Sequence, residues 1–307
     1  MKLGASLVQC LFFTCSTAGC IIAEAGSNGL GYTLVSLFHG LASVPWDMFY
    51  WEFAPSPYRC TTTAEWNTFF TSSVPRLLKT LPVAQSCQRL SSFALLWQNR
   101  ANRPQLTIGC PELCPGVLAV WHLIPDITST HRMLMRYRSS RSHPLPHIVI
   151  QLRGGDKIKD ELHDDYDYNI TKGLTRAKHS WFGQIIAGGT CFFHGDDYAL
   201  RKTAANAAVA IFGCRIVNFF PNVRHPSHIQ TEFNAEAVAK RCSLAKEVFL
   251  DIETMATAKY VIALGVSNVV RVAALLRSCR QNQFPILDWS GLDMNIEKCQ
   301  LYGKDKE

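Results

Sequence analysis

Several signatures are missing from this sequence, and each absence removes a class of function. It has no Gly-Lys-Ser or Gly-Lys-Thr, so it carries no P-loop. No Gly-x-Gly-x-x-Gly follows its best strand candidate, which argues against the dinucleotide fingerprint. It has no long Lys/Arg run and no aromatic–basic repeat, so nucleic acid is not an expected partner. Beyond the N-terminal stretch, no segment reaches 18 apolar residues without a charge, so no internal membrane span is expected. Internal repeats and low-complexity tracts are absent. Charged residues make up only 18% against 48% hydrophobic, a balance that excludes a disordered chain. The cysteines lack zinc-site spacing: Cys110-Pro-Glu-Leu-Cys114 has no second pair and no His pair nearby.

What is present sets the scale. The 307 residues have room for two domains of about 150 residues each. The net charge of +7 favours an anionic ligand or surface only mildly, and most of it reads as solvated exterior. Twelve cysteines are many for a cytosolic protein and fit a lumenal one with some disulfides. Cys191 and Cys214 lie in apolar runs and read as plain core residues. The N-terminus admits two readings. Residues 1–18 resemble a secretory signal or membrane anchor, with Ala23-Glu24-Ala25 in the small-x-small form of a cleavage site. Alternatively, Gly19-Cys20-Ile21-Ile22-Ala23 is the first strand of a domain, and cleavage after Ala25 would delete it.

Along the chain, a turn at 29–31 leads into 32–42, where Leu34, Leu37, Phe38 and Leu41 fall at helical spacing. Aromatic stretches at 46–53 and 66–70 read as packing, with a sugar-stacking wall as the sharper alternative. The basic, Ser-rich run at 132–143, followed by Pro144 and Pro146, is the candidate linker. Strand and helix signals then alternate. Strands are predicted at 148–152, 190–193, 215–220 and 260–264; helices at 199–212, 233–248, 251–258 and 267–279. The alternation predicts a parallel sheet in an α/β, Rossmann-like domain, with ligands at the carboxyl ends of the strands.

Polar residues gather at those ends. Arg153, Asp156, Lys157 and Glu161 follow the first strand, Asp196 and Asp197 the second, and Ser267, Asn268 and Arg271 the strand ending at Leu264. Arg153 and Lys157 flank Gly154 and Gly155, and glycines let a backbone approach a phosphate that Arg can grip in bidentate fashion. Ser267 and Asn268 open a helix, whose free amides favour an anion. Together they suggest a diphosphate. Each also has a plain reading: Arg153-Gly154-Gly155-Asp156 as a surface turn, Asp196-Asp197 and Asp251 as helix caps, and His163, His194, His225 and His228 as surface or loop residues. The sequon Asn169-Ile170-Thr171 reads as a chance occurrence.

The run Gln151-Leu152-Arg153-Gly154-Gly155-Asp156-Lys157-Ile158-Lys159-Asp160-Glu161 resembles the His-x-Arg-Arg-x-Asp-Lys-x-x-x-Glu region of α1,6-fucosyltransferases and the related O-fucosyltransferase superfamily. Phe193-His194-Gly195-Asp196-Asp197 is similar to that family's Asp-Asp loop, and Asp251 through Arg271 to its last motif. Gly26-Ser27-Asn28-Gly29-Leu30-Gly31 resembles its Gly-rich first loop. The resemblance implies a GT-B-like fold of two Rossmann-like domains: an acceptor-side domain at 19–140 and a C-terminal GDP-sugar-binding domain at 146–307. It implies transfer of fucose from GDP-fucose, with inversion and without a metal or other cofactor, to a glycan or glycoprotein acceptor. An α1,6-like enzyme is the first expectation; a protein O-fucosyltransferase, or an inactive nucleotide-sugar-binding protein of the same fold, is the alternative. A generic Rossmann oxidoreductase is a rival of another class. Glu161 matches the general base, beside Lys157. Arg153 would hold the β-phosphate, Asp251 the guanine, and Asp196 and Asp197 would shape the pocket, with Gln151, Asp156, Ser267, Asn268 and Arg271 also on the donor and Asn28, Gly29 and Gly31 on the N-terminal loop. The implied location is the secretory pathway, membrane-anchored in the Golgi or endoplasmic reticulum lumen. Two departures stand out: Gln151 where the family often has His, and Gly154 where α1,6 enzymes have a second Arg.

Overall fold

The computed structural model describes residues 20–24, 30–31, 33–35, 38, 49–52, 87–91, 114–122, 148–152, 170–179, 189–195, 197–216, 230–264, 267–280, 286–288 and 293–294. These residues form two sheets. In the smaller, β1 (Cys20–Glu24) lies between β2 (Phe49–Glu52) and β3 (Cys87–Ser91), and both pairings are parallel. The strand alternative for the N-terminus is therefore the one observed. Of the residues predicted at helical spacing, Leu34 and Phe38 are helical and buried, as are Leu30 and Val35, while Leu37 and Leu41 lie outside the described residues. Among the described residues no helix is long and apolar enough to cross a membrane.

The larger sheet contains β4 (Ile148–Leu152), β5 (Thr190–Gly195), β6 (Arg215–Ile216), β7 (Tyr260–Leu264), β8 (Ile286–Asp288) and β9 (Asp293–Met294). Its order is β6-β5-β4-β7-β8-β9, parallel except for the last pair. The chain winds outward from β4 in one direction, then returns to β7 on the other side. β4 and β7 are continuous apolar runs with every residue buried, as a strand covered on both faces requires. The helices are α1 (Cys114–His122), α2 (Ile170–Ala177), α3 (Tyr198–Phe212), α4 (Gln230–Ala235), α5 (Val238–Thr257) and α6 (Asn268–Cys279).

One face of the sheet is an apolar cluster. Ile148, Ile150, Leu152, Phe193, Ile262 and Leu264 pack there with Leu174 of α2 and Ala204, Ala208 and Phe212 of α3. The alternate residues Val149, Gln151, Phe192, Val261 and Ala263 are buried on the opposite face. α3 ends where the sequence says, with Gly213 at φ 63° and its N–H donating to Val209 O.

Three sequence expectations are corrected. The helices predicted at 233–248 and 251–258 are instead α4, a break at Glu236 and Ala237, and the single 20-residue α5. Asp251 starts no helix; it lies inside α5, where Phe249 and Ile252 are buried. Cys191 and Cys214 are not plain core thiols: they form a disulfide, Cα–Cα 5.8 Å, that ties β5 to the start of β6. A second disulfide joins Cys114 of α1 to Cys279 of α6. Beside it, Trp121 Nε1 of α1 donates to the fully buried Glu253 of α5, and its ring meets Phe249 edge-on at 5.9 Å. Helix α1 is thus attached to the α5–α6 layer both covalently and by packing. The predicted linker at 132–143 and the strand residues 217–220 lie outside the described residues.

Candidate functional site

In an open parallel sheet the ligand crevice lies at the carboxyl ends of the strands, where the winding reverses. Here the reversal falls between β4 and β7. Leu152, Leu264 and Gly195 stand level as the last residues of their strands. Arg153 follows Leu152 directly, Asp196 and Asp197 follow Gly195, and Ser267 is three residues past Leu264. The sheet thus brings the ends of the three strands that precede these polar segments to one edge.

Gly195 shows how close that edge is: a Cβ there would lie 2.8 Å from Leu152 O, inside contact distance. Ser267 caps α6, its Oγ accepting from Val270 N at 3.3 Å, and is buried. The first amides of a helix have no intrahelical acceptor, and the helix dipole adds positive potential there. Arg271 Nη1 donates to Asn268 Oδ1 at 2.9 Å, holding a guanidinium beside the same helix start.

The segment at 30–38 reaches this point too. A Cβ on Gly31 would lie 2.6 Å from Val269 N and 2.8 Å from Asn268 C. The sequence-predicted Gly31 and the α6 N-terminus, 237 residues apart by number (268 − 31), are therefore in backbone contact. Both nearest atoms are backbone and cannot rotate aside. Gly31→Ala is expected to lower unfolding free energy by roughly 1–3 kcal/mol through overpacking, read by urea denaturation; an unchanged midpoint would disprove the contact.

Asp197 caps α3, accepting from Leu200 N at 3.0 Å, so the cap alternative describes what this carboxylate does. Asp251 projects from α5 to His194 of β5, with Oδ2 2.6 Å from Nδ1. His194 is thus not the surface residue the sequence suggested. A lone His in a loop-like Phe-His-Gly context gives no signal of this; its partner is 57 residues away (251 − 194). Gln151 is buried at 3% exposure; its Nε2 donates to Leu152 O at 3.1 Å, while Oε1 has no partner. Arg153, Asp156, Lys157, Glu161, Asp196, Asn28 and Gly29 lie outside the described residues.

Comparison with known proteins adds the following. No family model matches the chain, and no curated protein matches it. Solved structures do. The fucosyltransferase NodZ from Bradyrhizobium matches with TM-score 0.51 and 11% identity, over 89% of this chain and 96% of that one. A structure of NodZ alpha-1,6-fucosyltransferase soaked with GDP-fucose matches with TM-score 0.45 and 13% identity, over 88% and 94%. A mutant of Arabidopsis thaliana FUT1 in complex with GDP matches with TM-score 0.47 and 8% identity, over 94% and 74%. At such identity the likeness is one of fold: the chain is a parallel α/β protein that shares the fold of the Bradyrhizobium fucosyltransferase.

Proposed function

We propose that the chain is a fucosyltransferase that takes GDP-fucose as donor, with the donor's diphosphate at the β4–β7 edge. The observation that carries this reading is the convergence of the fucosyltransferase-like segments. The carboxyl ends of β4, β5 and β7 stand level, with the cap of α3, the Asp251–His194 pair and the start of α6 at that edge, in a fold shared with a fucosyltransferase. Transfer of a sugar with inversion needs two things. Positive charge must stabilise the departing diphosphate, and a base must take the proton of the acceptor hydroxyl as its oxygen attacks the anomeric carbon. Arg153 and Lys157, next in sequence after β4, supply the first, assisted by the α6 N-terminus. Glu161 supplies the second. Arg271 and Asn268 line the same helix start. No metal enters this scheme.

The two-domain GT-B-like arrangement, with 146–307 holding the donor and 19–140 facing the acceptor, is part of the same proposal. An α1,6-like transfer to an N-glycan core is the first choice of acceptor and protein O-fucosylation the second. The disulfides Cys114–Cys279 and Cys191–Cys214 support residence in an oxidising compartment such as the Golgi or endoplasmic reticulum lumen.

Arg153→Ala is expected to weaken GDP binding about 100-fold, since a bidentate phosphate contact is charge-assisted and roughly doubles an ordinary hydrogen bond, while the melting temperature stays unchanged. Calorimetric titration of GDP checks this. Wild-type protein that neither binds GDP nor releases it from GDP-fucose with glycan acceptors would sink the proposal, and NAD binding in its place would favour an oxidoreductase.

A further inference from the structure

Helix α6 is touched at both ends by chain that precedes β4. At its start, Gly31 lies so close that an added Cβ would be 2.6 Å from Val269 N. At its last residue, Cys279 is bonded to Cys114 of α1. The two points are about 18 Å apart, the length of a 12-residue helix. Between them α6 is a fixed rod. Val270 and all of 272–277 are buried, and Arg277 and Arg280 hold its far end to α5. Trp121 of α1 adds a hydrogen bond and an edge-on ring contact with α5. The chain before β4 is therefore registered against α6 by a backbone contact at one end and a covalent bond at the other. The disulfides differ in access. Cys191 and Cys214 are buried at 0% and 4%, whereas Cys114 and Cys279 are both half-buried. Exchange requires a thiolate to reach a sulfur, so access sets which bond yields first.

We infer that Cys114–Cys279 is a thiol-sensitive tether that keeps Gly31 on the start of α6, so that its reduction loosens the donor site. The thiolate of a small dithiol attacks one Sγ; the S–S bond breaks and the other Sγ leaves as a thiolate, which takes a proton from water. The reagent's second thiol gives up its proton and displaces the mixed disulfide, freeing the second cysteine. Two electrons pass from the dithiol, which ends as a cyclic disulfide, to the protein, which ends with two thiols. α1 then keeps its noncovalent hold through Trp121, but the effective concentration of the Gly31 backbone at α6 falls. Val269 N is one of the first amides of α6, which have no intrahelical acceptor, so the loosened contact borders the groups assigned to the diphosphate. The inference rests on the nucleotide-sugar reading above and adds a control over that same site.

The test uses the full chain, oxidised or treated with dithiothreitol, with free thiols mapped by alkylation and mass spectrometry. Cys114 and Cys279 are expected to be alkylated at a reductant concentration that leaves Cys191 and Cys214 paired. In the protein so reduced, hydrogen exchange in peptides holding Gly31 and Val269 is expected to quicken about tenfold, and GDP to bind about tenfold more weakly by calorimetric titration. Cys114→Ser should show both changes without reductant and respond no further to it. That variant separates this bond from the one made by Cys242 of α5, which is also disulfide-bonded. Unchanged exchange in the reduced protein overturns the inference, and so does opening of Cys191–Cys214 first. Faster exchange with unaltered GDP affinity also overturns it, because the tether then does not serve the site; the donor reading survives that result. Faster exchange in a protein that binds GDP in neither redox state upholds the tether and defeats the donor reading. Should Cys114→Ser fail to fold, wild type folded first and reduced afterwards carries the same comparison.

Discussion

Glu253→Ala is expected to lower the unfolding free energy by about 3–5 kcal/mol, the cost of removing one partner from a buried charged network. Glu253 is fully buried and accepts from Trp121 Nε1 at 2.7 Å and from Arg280 Nη2 at 2.9 Å. Alanine leaves an indole N–H and a mostly buried guanidinium without their acceptor. The damage comes from the orphaned partners rather than from the lost attraction. Replacing Glu253 and Arg280 together by leucine should therefore cost less than the single change. Urea denaturation of the three proteins decides the matter. An additive or larger loss in the double variant would contradict this account. Because Cys114–Cys279 still tethers α1 to α6, the variants should keep near-native helix content under oxidising conditions. Asp251 lies two residues before Glu253 on α5, so this network also fixes the helix that presents a carboxylate to His194.

The second large effect is expected at Arg277, which is buried at 0% exposure within α6. Its Nη1 donates to Met255 O at 2.8 Å and Ala258 O at 2.6 Å, and its Nη2 to Lys259 O at 3.1 Å. These carbonyls belong to the last turn of α5 and the connection into β7. The final carbonyls of a helix lack intrahelical donors and carry partial negative charge. α5 has no basic residue in its own last turn, so α6 supplies the cation. Arg277→Met should cost roughly 3–5 kcal/mol, since several charge-assisted bonds are lost and their acceptors stay buried. Arg277→Lys should rescue little, because a single ammonium cannot span the fork. Burial lowers the guanidinium from its ordinary value to about 10. With the folded value below the unfolded one, the unfolded chain binds more protons only above about pH 10, so stability would rise with pH there alone. Below it both states are protonated. The difference between wild type and Arg277→Met should therefore be flat from about pH 5 to 9; a slope there would show that another group is coupled to Arg277.

Much of the sheet-and-helix frame around the candidate site was legible because its signals are local. The run Ile148 to Leu152 is apolar and β-branched over a strand's length, so β4 and its carboxyl end follow from the sequence. Asp197 and Gly213 mark both ends of α3, and Ser267 marks the start of α6, because caps act within three or four residues. The boundary at Asp251 was misread for the same reason. Asp suits a helix start locally, but α5 runs through it because Ile252 is buried and Phe249 and Glu253 pack on Trp121 of α1. Cys191 and Cys214 pair only because β5 and β6 lie side by side.

The sequence by itself determined β4, β5 and β7, both ends of α3, the start of α6 and the order of polar segments along the chain, since each depends on neighbours a few residues apart. Only the tertiary structure decided that Gly31 rests on the start of α6, that Gln151 keeps a buried oxygen unpaired, and that His194 belongs to Asp251. Those facts depend on strand order and on which face a side chain takes, and neither is set until the sheet is assembled.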